Sequence, residues 1–193
     1  LKAKHSQAEK PLRIIGGQWR GRKLNFPATD GLRPTGDRIR ETLFNWLAPR
    51  LPGARALDLF AGSGALGLEA LSRGADEVVL LERQAQAWEQ LRSNLALLGA
   101  ADTAHLHHVD ALRWLNQTNP GAGFDVVFID PPFELDLWQR TIDAIQVNGW
   151  LAPGAAIYVE AGTETHFQVP DTWTLHRDKS AGQVRYRLYW LEP

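Results

Sequence analysis

The sequence predicts an α/β fold: a doubly wound, seven-stranded, mostly parallel sheet with helices on both faces and an antiparallel hairpin at its C-terminal edge. Three observations carry this expectation. From Arg55 onward, five short apolar runs alternate with helical segments, as in parallel strands joined by crossover helices. The first run leads straight into a glycine loop at Gly62-Ser63-Gly64. The last two runs flank Gly182 with no helix between them and so read as a hairpin.

The elements follow in order. Residues 1–11 are polar and without periodicity, and are expected to be disordered. Arg13 to Leu24 reads as a short hairpin, with turns at Gly16-Gly17 and Gly21. Pro27 to Pro34 is loop. Asp37 is placed to cap a helix ending near Leu47, because Ile39, Leu43, Phe44 and Leu47 fall on one face. Pro49 to Gly53 ends it. The strands are then Ala56–Phe60, Glu77–Glu82, His105–Val109, Phe124–Ile129 and Ala155–Glu160, with helices at Leu66–Arg73, Gln84–Leu98, Ala111–Asn116 and Leu135–Val147. The hairpin strands lie near Trp173–His176 and Val184–Leu191. This divides the chain into a polar start (1–11), an N-terminal extension (12–53) and a main α/β domain (54–193).

Composition narrows the chemistry. There is no cysteine among the 193 residues, which excludes disulfides, thiolate nucleophiles and thiolate-bound metals. No apolar run is long enough to span a bilayer, and Leu1 to Arg20 lacks the apolar core of a signal peptide; a cytoplasmic protein without a membrane partner is expected. His105, His107 and His108 have no carboxylate at ligand spacing, and no metal site is expected. The net charge of −1 hides an asymmetry: residues 1–50 carry 11 Lys and Arg against 4 Asp and Glu, whereas the rest carries 10 against 18. A basic arm on an acidic body suits a polyanion held by the arm beside a site built on the body.

That site is expected beyond the carboxyl ends of the strands, where doubly wound sheets bind ligands. Gly62-x-Gly64-x-x-Gly67 satisfies the dinucleotide fingerprint loosely, but Asp58 lies inside the strand, four residues before the first glycine. A carboxylate there would repel a pyrophosphate and attract a cationic amino-acid moiety, which favours S-adenosylmethionine as cofactor and S-adenosylhomocysteine as product. Glu82, ending the second strand, can accept hydrogen bonds from ribose hydroxyls, and Asp110, after the third, can reach an adenine amino group. Phe60, Ala61 and Ser63 in the loop, Arg83 and Ala111 complete the candidate pocket.

The fourth strand ends in Asp130-Pro131-Pro132-Phe133. Two prolines stiffen the backbone and remove two N–H donors, leaving the Asp130 carboxylate and the Pro131 carbonyl as a cluster of acceptors. An aromatic amine held there by its N–H bonds can turn its lone pair toward a methyl donor, with Asp130 bordering both cofactor and substrate. Phe133 offers a flat face on which a base can stack. A base inside a duplex would have to flip out to reach it.

With these residues in hand, the chain resembles the bacterial 16S ribosomal RNA guanine methyltransferase family, RsmD. The likeness runs from Arg13-Ile14-Ile15-Gly16-Gly17 and Trp19-Arg20-Gly21-Arg22 through Leu32-Arg33-Pro34-Thr35 and Arg40-Glu41-Thr42-Leu43-Phe44-Asn45-Trp46-Leu47. It continues over Leu57 to Gly74, the Asp130 motif, and Gly182-Gln183-Val184 with Tyr186-Arg187-Leu188-Tyr189. The glycine loop and the Asp130 motif are shared by many amino-methyltransferases; the arm narrows the match. The resemblance implies a class I S-adenosylmethionine-dependent (Rossmann-like) methyltransferase acting on the 2-amino group of one guanine in small-subunit rRNA, within an assembling 30S particle. It implies cofactor roles for Asp58, Gly62, Gly64, Glu82 and Asp110, and catalytic roles for Asp130 to Phe133. Arg13, Arg20, Arg22, Lys23, Arg33, Arg38 and Arg40 are then candidate phosphate contacts, with Arg38 and Arg40 open to pairing on their own helix instead. Thr35 and Arg38 are alternatively placed to close over the cofactor. A monomer is expected. The same chemistry would serve adenine 6-amino methylation of DNA or RNA, and a non-enzymatic RNA-binding module is the third reading.

Overall fold

The computed structural model describes residues 11–26 and 35–192. Its centre is a seven-stranded sheet in the order β5-β4-β3-β6-β7-β9-β8. These strands are β3 (Arg55–Asp58), β4 (Glu77–Glu82), β5 (Ala104–His108), β6 (Phe124–Ile129), β7 (Leu151–Gly162), β8 (Trp173–Ala181) and β9 (Val184–Leu191). The first five run parallel, and β9 pairs antiparallel with both β7 and β8. The strand order reverses at β3, which lies between β4 and β6, so a crevice opens there at the carboxyl ends.

Period-two alternation builds two cores from one sheet. Ala56, Val78, Leu80, Val126, Phe128 and Tyr158 face α1 (Asp37–Leu47), α2 (Ala65–Ser72) and α3 (Ala85–Leu98). Leu57, Val79, Leu81, Val127, Ile129 and Ile157 face α4 (Ala111–Leu115) and α5 (Trp138–Val147). On the second face Trp114 stacks on Trp150 at 4.0 Å, and the Trp150 indole N–H donates to the Leu115 carbonyl, so the large rings fill volume without stranding a donor.

The N-terminal extension packs into the first of these cores. Leu12, Ile14 and Leu24 are buried in it together with Ile39, Leu43, Phe44 and Leu47 of α1. The expected hairpin is two-residue strands, β1 (Leu12–Arg13) and β2 (Lys23–Leu24), around a 3-10 turn at Gly17–Trp19. It is fastened to α2 by a buried carboxylate: Glu69 accepts the Ile15 N–H at 2.9 Å and the Gly16 N–H at 2.8 Å.

Three boundaries differ most from expectation. The helix read from Leu135 begins at Trp138, because Phe133–Leu135 forms a 3-10 turn and Asp136 takes a left-handed φ of 45°. β7 is twelve residues long and crosses Pro153-Gly154, with an irregular register opposite Phe124. β8 extends through the polar stretch Arg177 to Ala181. It is an edge strand exposed on one side, where apolar alternation is not required, and the Asp178–Arg185 pair holds it to β9.

Candidate active site

A cleft of about 1010 Å³ opens at the carboxyl ends of β3, β4, β6 and β7. It is lined by Asp58, Phe60, Ala61, Gly62, Ser63, Glu82, Arg83, Asp110, Ala111 and the whole run Asp130 to Phe133. Residues up to 75 positions apart thus converge on one cavity because parallel strands deliver their last side chains to the same end.

Asp58 forms the floor. It is buried, and its Oδ2 accepts the Gly67 N–H at 2.9 Å from the first turn of α2. Burial raises its pKa to about 7, against the lowering effect of the Gly67 and Phe60 N–H groups, and the neighbouring Glu82 charge adds to the rise. A carboxylate held that high is stabilised by a cation brought against it. Glu82 is also buried and organises the loop: Oε2 accepts the Gly62 N–H at 2.9 Å and Oε1 the Gln84 N–H at 2.6 Å. Asp110 caps α4, accepting the Arg113 N–H at 3.0 Å through Oδ1.

Gly64 is the one loop residue that does not line the cleft. It sits behind it at φ 79°, where a Cβ would lie 2.6 Å from Leu91 and 2.9 Å from Leu68. Its task is to let α2 start against α3. Gly67 does the same beneath the sheet, since a Cβ there would lie 2.4 Å from Leu80 and 3.2 Å from the Asp58 carboxylate. The spacing that resembles a dinucleotide fingerprint is therefore, at its second and third glycines, a packing requirement.

On the opposite wall, Asp130 follows β6 and Pro131 is buried beneath it. The Phe133 ring is 45% exposed at the mouth and rests 5.6 Å from Trp138. Glu160, which the sequence did not single out, and Thr35 complete the wall. Glu160, near the end of β7, is buried and lines the cleft; Thr35, just before α1, bridges the two carboxylates, with Oγ1 2.9 Å from Glu160 Oε2 and 3.3 Å from Asp130 Oδ2. The Tyr158 hydroxyl donates to the same Glu160 oxygen at 2.8 Å. Burial, then the charges of Glu160 and Asp58, push the Asp130 carboxyl well above its usual range. Burial raises Glu160 too, opposed by its two hydroxyl donors. The rule that located Asp58, Glu82 and Asp130, a carboxylate at a strand end, also holds for Glu160 on the fifth parallel strand.

The basic residues divide. Arg13, Arg20, Arg22, Lys23 and Arg38 are exposed, with Arg13 3.5 Å from Asp37 and the Arg22 guanidinium 3.5 Å from the Leu97 carbonyl. Arg33 lies outside the described residues. Arg40 corrects the expectation of a phosphate contact: it is 1% exposed and its guanidinium is consumed internally. It donates to Asp37 at 2.6 Å, to the Arg13 carbonyl at 2.9 Å and to the Thr35 carbonyl at 3.2 Å, and pairs with Glu69 at 3.4 Å. The i,i+3 pairing of Asp37 with Arg40 is realised. Thr35 lines the cleft and reaches the Asp130 wall. Of the histidines, His105 lies 3.7 Å from Glu77 and His108 stacks on Trp88; neither lines the cleft.

The chain is 54% identical over 182 residues to the ribosomal RNA small subunit methyltransferase D of Escherichia coli strain K12, covering 94% of this chain and 90% of that protein. It is 46% identical over 183 residues to the protein of the same name from Haemophilus influenzae, covering 94% and 95%. A solved Escherichia coli structure described as a methyltransferase superposes with a TM-score of 0.88 at 51% identity, covering 95% of this chain and 99% of that one. The family model described as Conserved hypothetical protein 95 matches residues 12–190, and the chain belongs to that family, the one its arm and its two strand-end motifs resemble.

Proposed function

We propose that this protein methylates the exocyclic 2-amino group of a guanine in small-subunit (16S) ribosomal RNA, using S-adenosylmethionine and releasing S-adenosylhomocysteine. One observation carries the reading: Asp58 and the Asp130 motif stand at the ends of neighbouring parallel strands and line a single cleft. The residues fit the cofactor. Asp58 is a buried carboxylate with a raised pKa that calls for a cation, Glu82 presents acceptors beside the glycine loop, and Asp110 and Ala111 line the same cleft.

When bound, the cofactor supplies an electrophilic methyl group on a sulfonium. The chain's own residues do the rest. Asp130 and the Pro131 carbonyl accept the amine's N–H bonds and set its lone pair toward the methyl, so that positioning carries much of the catalysis. Phe133, exposed at the mouth, stacks on the base, a contact of about 1–3 kcal/mol. Acidic groups, Asp58, Glu82, Asp130 and Glu160 among them, line the cleft, while the exposed Arg13, Arg20, Arg22, Lys23 and Arg38 lie on the N-terminal extension. That separation lets RNA be held by its phosphates while only a flipped base enters. We place this activity in a cytoplasmic monomer acting on the assembling 30S particle; among the described residues no helix is long and apolar enough to cross a membrane.

The test is transfer of labelled methyl from S-adenosylmethionine to ribosomal RNA and to 30S particles, followed by digestion to nucleosides. N2-methylguanosine is expected. N6-methyladenosine would instead establish the adenine reading, and absence of both cofactor binding and transfer would leave only an RNA-binding module.

The Asp58 floor yields a prediction independent of the substrate. In the ligand-free protein this carboxyl titrates at about pH 7, and the bound ammonium requires its anion. Below pH 7 binding must therefore expel a proton, and the cofactor Kd rises about tenfold per pH unit down to about pH 5. Above pH 7 it levels off. Calorimetry across this range checks the slope, and Asp58→Asn is expected to bind weakly with no slope. A wild-type Kd flat from about pH 5 to pH 7 would refute the assignment.

A further inference from the structure

The Asp130 wall contains more than an amine-positioning motif needs. Asp130 and Glu160 belong to different strands, and a residue 95 positions from one and 125 from the other bridges them. Thr35 has one hydroxyl proton to give. Its shorter contact, 2.9 Å, is to Glu160, which also receives the Tyr158 hydroxyl at 2.8 Å on the same oxygen. Two donors on one carboxylate oxygen mark Glu160 as the anion. The 3.3 Å contact between Thr35 Oγ1 and Asp130 Oδ2 then joins two oxygens with no proton left for it from Thr35. That contact is a hydrogen bond only if Asp130 carries the proton and donates it.

We propose that Glu160 is the terminal proton acceptor of the methyl transfer, reached from the substrate amine through Asp130 and the Thr35 hydroxyl. The proposal rests on reading the cleft as a site of amine methylation. As the amine nitrogen gains its methyl group it must lose one proton. That proton passes to Asp130 Oδ1, the proton on Asp130 Oδ2 passes to Thr35 Oγ1, and the Thr35 hydroxyl proton passes to Glu160 Oε2. One N–H bond is broken and one O–H bond is formed on Glu160. Asp130 stays neutral with its proton now on Oδ1, Thr35 keeps a hydroxyl proton received from Asp130, and no co-reactant is needed. Asp130 is thus neutral when the base enters, and the charge that balances the developing cation is held one relay step behind it, away from the Asp58 floor.

The surroundings suit this division. Asp58 on β3 places negative charge toward Asp130, Tyr158 and Glu160 come from β7, and Tyr186 of β9 pairs with Glu160 in register. Glu134 and Glu164 line the outer cleft. On the Thr35 side, the Arg40 guanidinium grips the Thr35 carbonyl at 3.2 Å and so fixes the bridge.

Two readouts test the relay. Infrared spectra of the ligand-free protein at about pH 8, above the Asp58 midpoint, are expected to show a protonated carboxyl that disappears in Asp130→Asn. Persistence of that band in Asp130→Asn would place the proton elsewhere and overturn the assignment. Single-turnover rates at saturating cofactor are expected to fall about 10²-fold or more in Glu160→Gln, with the cofactor Kd unchanged. Wild type needs the Glu160 anion, so its rate falls as pH drops through the raised range of the pair. In Glu160→Gln the like charge is gone, Asp130 becomes the acceptor, and this acid limb moves to lower pH. Thr35→Val should lower the rate as Glu160→Gln does, and Thr35→Ser, which keeps the hydroxyl, should restore it. A Glu160→Gln rate within about twofold of wild type, or an unmoved acid limb, would sink the relay. If Asp130→Ala abolishes transfer while Glu160→Gln is silent, only the relay fails. If Asp130→Ala is itself silent, the reading of the site fails with it.

Discussion

Asp130→Ala is expected to lower methyl transfer by about 10²- to 10⁴-fold in single turnovers at saturating cofactor, with the cofactor Kd held within a few-fold of wild type. The loss follows from what the side chain contributes. It is the acceptor next to the rigid Pro131-Pro132 segment, and without it the amine has a single carbonyl to hold it and no route for its proton. The cofactor floor, Asp58 with Gly67 and Glu82 with Gly62, is built by β3, β4 and α2 and does not depend on Asp130. Stability should not fall with activity. Burial and the charges of Glu160 and Asp58 all act against ionising Asp130, so alanine relieves an unfavourable cluster while Thr35 keeps its shorter bond to Glu160. A melting temperature equal to or above wild type, together with near-complete loss of transfer, is the signature of a functional residue held at a cost to the fold. Undiminished transfer would remove Asp130 from the mechanism.

Much of this site was legible in the sequence because strand geometry is legible. Period-two alternation fixed which residues of Leu57-Asp58-Leu59 and Phe124 to Ile129 face which core, and parallel topology then sends every strand-end carboxylate to the same cleft. What could not be read is what depends on partners far along the chain. Arg40 was open to an RNA role because its buried partner, Glu69, lies 29 positions away on another helix. A signal was present even so, since Arg40, Phe44 and Leu47 recur at i, i+4 and i+7 on the inward face of α1. A charged residue on an apolar face requires a buried partner, though nothing local says which. The Thr35 bridge could not be read for a related reason: its contacts to Asp130 and Glu160 span 95 and 125 positions and depend on how the arm lies across the sheet. The second half of β8 carried no pattern because one side faces solvent.

Glu69→Ala is expected to destabilise the protein by about 3–5 kcal/mol, as for breaking a buried pair and leaving its partner charged. At roughly 2–4 °C per kcal/mol for a chain of this size, the melting temperature should fall by about 6–20 °C. Glu69 is fully buried in α2 and both of its oxygens are engaged. It receives Ile15 and Gly16 N–H from the arm, the Arg73 guanidinium at 2.7 Å and the buried Arg40 at 3.4 Å. Alanine strands two backbone donors and leaves Arg40 with Asp37 as its carboxylate partner on an exposed side chain. If the penalty is that stranded charge, Arg40→Met in the Glu69→Ala background should recover part of the loss, a coupling that a double-mutant cycle measures. The damage should also reach the active site by a defined path. Arg40 holds the Thr35 carbonyl, and Thr35 joins Asp130 to Glu160, so loosening Arg40 loosens the bridge. Methyl transfer at a temperature where the variant is still folded should therefore drop while the cofactor Kd, set by Asp58 and Glu82, changes little. A melting temperature within about 2 °C of wild type would show that Glu69 is not what fastens the arm to the sheet.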